Sequence, residues 1–340
     1  MFDTIDRVLT KALSLKRCAY SQSEMEFSAW FAVTYGATMI DHYGNLHFDR
    51  RTGRDDKTLF TCHSDTVHRS GGVNSYSFDP EEDFYYAKGD VLGADDAAGL
   101  ALVAWMITCG VPGYYIVFRG EEVGGVGSRG LADTNPDLLR QFNHAVAFDR
   151  ADYYDIITHQ AGDRCCSDGF AQALADKLAD TEEGLMFLPS DQGVYTDTAE
   201  FVGLIPECTN ISVGYFLQHS GKEKLDAGFL KRLAASLVEI DWNSLPVVRN
   251  AASKGEEFAM QASFEMAVDT ALYCNAFYDL ATLLSLGEKD ALSWLEHYDA
   301  SVLTPEQLDR ALEMPYKEGL TYLKDIVMAA EHQPDTVYPK

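Results

Sequence analysis

Two things are scarce in this chain. It has no apolar run approaching the ~18 residues that a membrane-spanning helix requires, and its 27 Lys and Arg are outnumbered by 53 Asp and Glu, for a formal net charge of −26. Nucleic acid and anionic membrane surfaces would be repelled by such a chain, so neither is expected as a partner. Paired cysteines are lacking too. The seven cysteines (Cys18, Cys62, Cys109, Cys165, Cys166, Cys208, Cys274) are odd in number, scattered and without C-x-x-C spacing. That excludes an obvious disulfide framework or zinc–cysteine site and leaves small buried apolar residues as the expectation. Cys165-Cys166, in a loop before Ser167, is expected to be loop packing, with a cleft-lining role as the alternative. The start, Met1-Phe-Asp-Thr-Ile-Asp-Arg7, reads as an amphipathic helix rather than a signal peptide, so a cytoplasmic location is expected.

What is present is an ordinary globular balance, 46% hydrophobic and 24% charged over 340 residues, with room for one large or two smaller domains. Apolar residues recur at helical spacing over 2–15 and 24–35, the second run capped by Ser21 or Ser23. Residues 37–47 read as a hairpin around Tyr43-Gly-Asn45. Strand and helix patterns then alternate to about Trp242, with the clearest helices at 167–178 and 226–240. This alternation predicts an α/β fold, a three-layer mixed sheet flanked by helices, over residues 1–243. After the break at 243–250 the pattern is helical throughout (258–286, 289–297, 305–313 and 316–330), with Thr304-Pro305-Glu-Gln307 as a start signal. An all-helical C-terminal appendage over 250–340 is the expectation, with no metal-type or nucleophile constellation in it.

The chemistry is concentrated around Leu92-Gly-Ala-Asp-Asp-Ala-Ala-Gly99, a glycine-flanked turn before an apolar helix that would carry Asp95 and Asp96 into the interior. Buried acids call for a cation; the bland alternative is an N-cap and a first-turn acid. Four further polar clusters each follow a strand-like run. Residues 57–62 lead to His63-Ser-Asp65, 114–118 to Arg119-Gly-Glu121-Glu122, 145–148 to Asp149, and 211–217 to Gln218-His219. Open α/β sheets gather their sites at the carboxyl ends of strands. Two histidines and several carboxylates at one edge make a composition suited to zinc and its first-row neighbours. His144, His159 and Asp163 fall outside these clusters and are read as surface or packing residues.

The order His63-x-Asp65, Gly-Ala-Asp95-Asp96, Glu121-Glu122, Asp149, His219 resembles the co-catalytic di-zinc exopeptidase superfamily, which includes peptidase T and the bacterial leucyl and glutamyl aminopeptidases. The resemblance covers roughly residues 35–240 and extends to Cys-His-Ser-Asp-Thr-Val67, Gly-Glu-Glu-Val-Gly-Gly-Val-Gly127 and Tyr195-Thr-Asp-Thr198. Compact chains of this kind also look similar to predicted peptidases of tailed bacteriophages. The resemblance implies two zinc ions, with Co²⁺ or Mn²⁺ as substitutes. Asp95 would bridge them, His63 and Asp149 would complete one shell, and Glu122 and His219 the other. It further implies that Glu121 is the general base, that Asp65 orients His63, and that the Asp95-Asp96 peptide is cis. The implied activity is hydrolysis of a terminal amide of a peptide or aminoacyl substrate, foremost as an aminopeptidase. The alternatives are an N-acyl amino-acid amidohydrolase or carboxypeptidase, and a non-catalytic binding protein on the same scaffold.

The residues support these roles in their own terms. A strand through His63-x-Asp65 would put both side chains on one face, where the acid can accept the ring N–H. Neighbouring glutamates point in different directions, so one can ligate while the other handles protons. The gaps from His63 to Asp95 and from Asp149 to His219 are too short for an inserted domain of ~80 residues. A compact catalytic domain is therefore expected, without a histidine supplied from a lid. The resemblance also implies a tyrosine that helps stabilise the oxyanion in compact relatives; Tyr195 and Tyr215 are the candidates, and both are left unassigned because neither fits the family pattern cleanly.

Overall fold

The structure, a computed structural model, describes residues 2–251 together with Arg310 and Tyr322. The chain divides into two units, residues 1–253 and 254–340; the helical appendage expected at 250–340 lies almost entirely outside the described residues.

An eight-stranded mixed sheet organises the first unit. Its strands are β1 (Met39–Ile40), β2 (Leu46–Asp49), β3 (Thr58–His63), β4 (Tyr114–Phe118), β5 (His144–Arg150), β6 (Asp155–Ile157), β7 (Leu188–Ser190) and β8 (Glu207–Ser212), in the order β7-β6-β8-β5-β3-β4-β2-β1. The middle four, β8, β5, β3 and β4, run parallel, while β2 and β1 fold back antiparallel at one edge. A second, four-stranded sheet joins Tyr76–Asp79 and Phe84–Ala87 to Lys224–Asp226 and Tyr215–Phe216.

Successive side chains of the middle strands are sorted to opposite faces, as the two-residue period of a strand requires. Phe60, Cys62, Tyr115, Val117, Val146 and Phe148 enter one core, while Leu59, Tyr114, Ile116, Phe118 and Ala145 enter another. Helices cover both faces and complete three layers. The first core is closed by α1 (Asp3–Leu13), α2 (Gln22–Tyr35), α3 (Ala94–Cys109), α5 (Asp168–Ala179) and α6 (Ala227–Glu239), and the second by α4 (Val126–Thr134) with Phe142, Phe201 and Ile205. Side-chain caps hold three of these helices, the one expected at Ser21 among them. Ser21 accepts from the Glu24 N–H, Ser167 from Phe170 and Asp226 from Phe229, each satisfying a donor that the first helical turn leaves free. The 37–47 hairpin forms as well, its turn tied by Asp41, which accepts from the backbone of Tyr43 and Asn45.

One expected strand is divided. The apolar run 211–217 ends β8 at Ser212, and Tyr215–Phe216 pairs in the second sheet instead. Gly214, at φ +89°, turns the chain between them, a conformation that only glycine adopts without a steric penalty. Among the described residues no helix is long and apolar enough to cross a membrane.

Candidate metal centre

The parallel strands deliver most of the candidate residues to one end of the sheet, and a loop of the second sheet brings His219. His63 is the last residue of β3, Asp149 sits near the end of β5, Glu121 and Glu122 follow β4, and His219 lies in the loop after Tyr215–Phe216. Asp95 arrives from the opposite side at the head of α3, where Gly93 takes φ +75° and Asp95 and Asp96 leave the helical conformation across a cis peptide. The helix can come this near because residue 99 is glycine: a Cβ there would collide with the Phe148 carbonyl and the Asp96 carboxylate.

Asp95 divides its carboxylate between two groups. Its Oδ1 lies 3.1 Å from His63 Nε2, which is also 3.5 Å from Asp149 Oδ1. Its Oδ2 lies 3.1 Å from His219 Nε2, which is 3.2 Å from Glu122 Oε2. In each of the sets His63–Asp95–Asp149 and Asp95–Glu122–His219, donor atoms lie within 4.8 Å of one another.

Electrostatics mark the same place. Burial alone would lower His63, but Asp149, Asp65 and Asp95 hold its imidazole well above the usual range. Against the same burial effect, Asp95 and Glu122 push His219 up to about 11. Burial and the Asp95 charge raise Glu122 to about 7 and raise Asp149. Burial first, and then Asp149, Glu122 and Asp197 against the pull of His63, hold Glu121 well above the usual carboxylate range. Asp95 differs: against its burial, His219 and His63 hold it below the usual carboxylate range. The other acids and the imidazoles of this cleft, which favour their protonated forms, are groups in need of positive charge.

An outer layer fixes these side chains, and most of it was silent in the sequence. Asp149 accepts from Thr196 Oγ1 at 2.6 Å and from the Tyr215 hydroxyl at 3.1 Å, and Asn210 pairs with its backbone on both sides. Asp96 accepts the His63 N–H at 3.1 Å and the Gly99 N–H at 2.8 Å. Glu223, buried and raised to about 7 by that burial, accepts the N–H groups of Leu92, Gly93 and Asp95.

Asp65 departs from its expected contact. Its carboxylate accepts the N–H groups of Gly120, Glu121 and Glu122 at 2.9 to 3.2 Å. The His63 Nδ1 is 3.7 Å from Asp65 Oδ1, and nearer, at 3.2 Å, to the Asp65 carbonyl. The reason is that β3 ends at His63, so the strand geometry that would align the two side chains does not reach residue 65.

Tyr195 donates to Glu200, which also pairs with Arg129, and Tyr215 is committed to Asp149. Cys165 and Cys166 lie fully buried against the Ile157 carbonyl. His144 is a packing residue at the far end of β5, where it stacks on Phe170 and reaches the Pro246 carbonyl.

No protein-family model and no curated protein matches the chain. Solved structures do. An aminopeptidase PepT from Bacillus cereus superposes with a TM-score of 0.58 at 15% identity, over 69% of this chain and 96% of that one. A tripeptidase from Staphylococcus aureus gives 0.56 at 14% identity, over 69% and 96%. The LapA aminopeptidase of Legionella pneumophila gives 0.52 at 19% identity, over 75% and 72%. The chain has the fold of these peptidases.

Within this fold, the donor set here can be tested for fit to a pair of divalent cations. Two imidazoles and three carboxylates are ligands suited to zinc and its neighbours. Asp95 offers one oxygen to each set, and Glu122 Oε1 is buried without a protein partner, an arrangement that is costly unless a further group completes it. The residues fit.

Proposed function

We propose that the protein is a two-metal hydrolase that removes a residue from the amino terminus of a peptide or aminoacyl compound. The observation that carries this reading is the divided carboxylate of Asp95, with one histidine and one further acid on each side. In it His63 and Asp149 would hold one ion, Glu122 and His219 the other, and zinc would suit the donors best. Bound ions of this kind supply Lewis acidity, polarising the scissile carbonyl and making water a better nucleophile.

The remaining work falls to the chain's own groups. Glu121 takes the proton from the attacking water and returns it to the leaving amine; its high proton affinity among neighbouring acids suits the first step. Asp65 holds the Glu121-Glu122 turn through three N–H groups, so the base and the ligand keep fixed positions. A preference for the amino terminus follows from charge. Of the arginines near the ends of the middle strands, Arg119 after β4 pairs with Glu24, Arg129 in α4 with Glu200 and Arg150 at the end of β5 with Asp155, so each of the three already has a carboxylate partner. The acid-rich cleft suits a free amine instead.

The test is a panel of aminoacyl, N-acyl and C-terminal amide substrates offered to the zinc-reconstituted protein. Turnover of the aminoacyl amides is expected. Turnover of only the N-acyl or C-terminal set would move the activity to an amidohydrolase or carboxypeptidase, and none at full metal occupancy would leave a binding scaffold.

A further inference from the structure

Arg17 heads the largest fully buried side chains, and nothing in the proposed chemistry uses it. Its Nε donates to the Ser64 carbonyl and its Nη2 to the Gly93 carbonyl, each at 3.0 Å. Ser64 stands between His63 and Asp65, and Gly93 precedes Asp95 by two residues. The Arg17 carbonyl in turn accepts the Thr66 N–H at 2.9 Å, so residue 17 grips the 64–66 loop through main chain and side chain alike. The guanidinium lies 5.2 Å from the centre of the Phe27 ring, and its Nη1 is buried without a protein partner.

Placing a guanidinium here is costly, and an apolar side chain would fill the space at less expense. What the arginine adds is a rigid planar fork that can reach two carbonyls on separate loops, which the single ammonium of a lysine cannot do in fixed geometry. Burial brings Arg17 down to about 10, against the charges of Asp96, Asp65, Glu223 and Glu24, so it stays cationic near neutrality. The bridged loops also touch. A Cβ on Gly93 would lie 3.2 Å from Thr66 Cγ2 and 3.3 Å from His68 Cε1, so the two loops run close together beside the fork.

We propose that Arg17 is a positioning residue of the metal centre: by bridging the Ser64 and Gly93 carbonyls it sets the separation of His63 and Asp95, and with it the affinity of the His63–Asp95–Asp149 set. This rests on the two-metal reading above. The zinc stoichiometry of the unmodified protein tests that reading, and the Arg17 variants test this one.

The experiment measures zinc affinity by chelator competition, together with kcat, KM and melting temperature, for full-length Arg17→Met and Arg17→Lys. Arg17→Met is expected to fold and to bind its tighter ion about 10- to 100-fold more weakly, the range found when outer partners of metal ligands are removed, with kcat falling more than KM rises. Arg17→Lys, which keeps the charge and reaches one carbonyl, is expected in between. Parent zinc affinity in either folded variant, with only the melting temperature lowered, overturns the proposal. Should Arg17→Met fail to fold, Arg17→Lys decides alone, because a charge without the fork must still bind zinc more weakly.

Discussion

The side chain of His63 is 1% exposed, whereas that of His219 is 50% exposed and stands on a residue at φ +60° in a loop. Their companion acids differ in the same sense. Asp149 receives two hydroxyl donors and is clamped by Asn210 on its backbone, while Glu122 keeps one carboxylate oxygen without a protein partner. One half of the proposed centre is therefore assembled before any ion arrives, and the other is left to be finished by what binds. Ligands held by outer partners lose less freedom on binding, so the His63 half should hold its ion more tightly and exchange it more slowly.

The largest effect is expected at Glu121, a buried carboxyl under the electrostatic influence of His63 and Asp149 from one half and of Glu122 from the other. Glu121→Gln preserves shape and removes only proton transfer, so turnover should fall by roughly 10²- to 10⁴-fold with zinc content unchanged. If instead this variant loses zinc while Glu122→Gln retains it, ligand and base have been exchanged in the assignment.

Next come the two acids that complete each half. Glu122→Gln should cost the open half its ion and be partly rescued by excess zinc, whereas Asp149→Asn should lose the tighter ion and resist rescue. Elemental analysis at two zinc concentrations distinguishes them, and equal rescue of both would erase the contrast drawn here.

Chelation gives a pH signature. In the metal-free protein the folded state holds His219 at about 11 and Glu122 at about 7, both above their unfolded values, so the native state binds more protons. Stability should then fall as pH rises, from above the unfolded glutamate value through about 7 for Glu122, and from above the unfolded imidazole value through about 11 for His219. Zinc needs deprotonated ligands, so its stabilisation should grow over the lower part of that range. Melting curves from pH 5 to 9, with and without zinc, should diverge with rising pH; parallel curves would count against ligation by these residues.

The smallest change sharpens the comparison most directly. Thr196→Val removes one hydroxyl from Asp149 and should lower stability by about 1 kcal/mol and weaken the tighter ion by about tenfold, leaving the looser one unaffected. Titration of both ions by calorimetry separates the two effects.

What the sequence disclosed and what it hid divide along physical lines. Four of the five candidate ligands were legible because each follows an apolar run read as a strand, and Asp95 because it stands at a glycine-flanked turn before an apolar helix. Ser21 was legible as a cap because capping acts over three residues. Arg17, Thr196, Asn210 and Glu223 were not, because their partners are far away in sequence and are mostly backbone groups, which leave no pattern in residue types. Glu223 meets the N–H of Asp95, 128 positions earlier. Asp65 was legible as an important acid but not in its contact, since that depended on the residue at which β3 stops. The split of 211–217 was written in Gly214, yet an apolar run masks a single turn.

The sorting of β3 between two cores has a consequence for how such a site tolerates change. Leu59 faces one core and Phe60 the other, and His63 closes the same strand. Deleting Cys62 would break the alternation of inward and outward sets at that point, so that keeping the imidazole aimed at Asp95 would thrust polar Thr61 into the core in the place of Cys62. A misaligned metal ligand and a misfolded sheet are thus one error rather than two, and a chain that passes the test of folding has already checked the aim of its histidine.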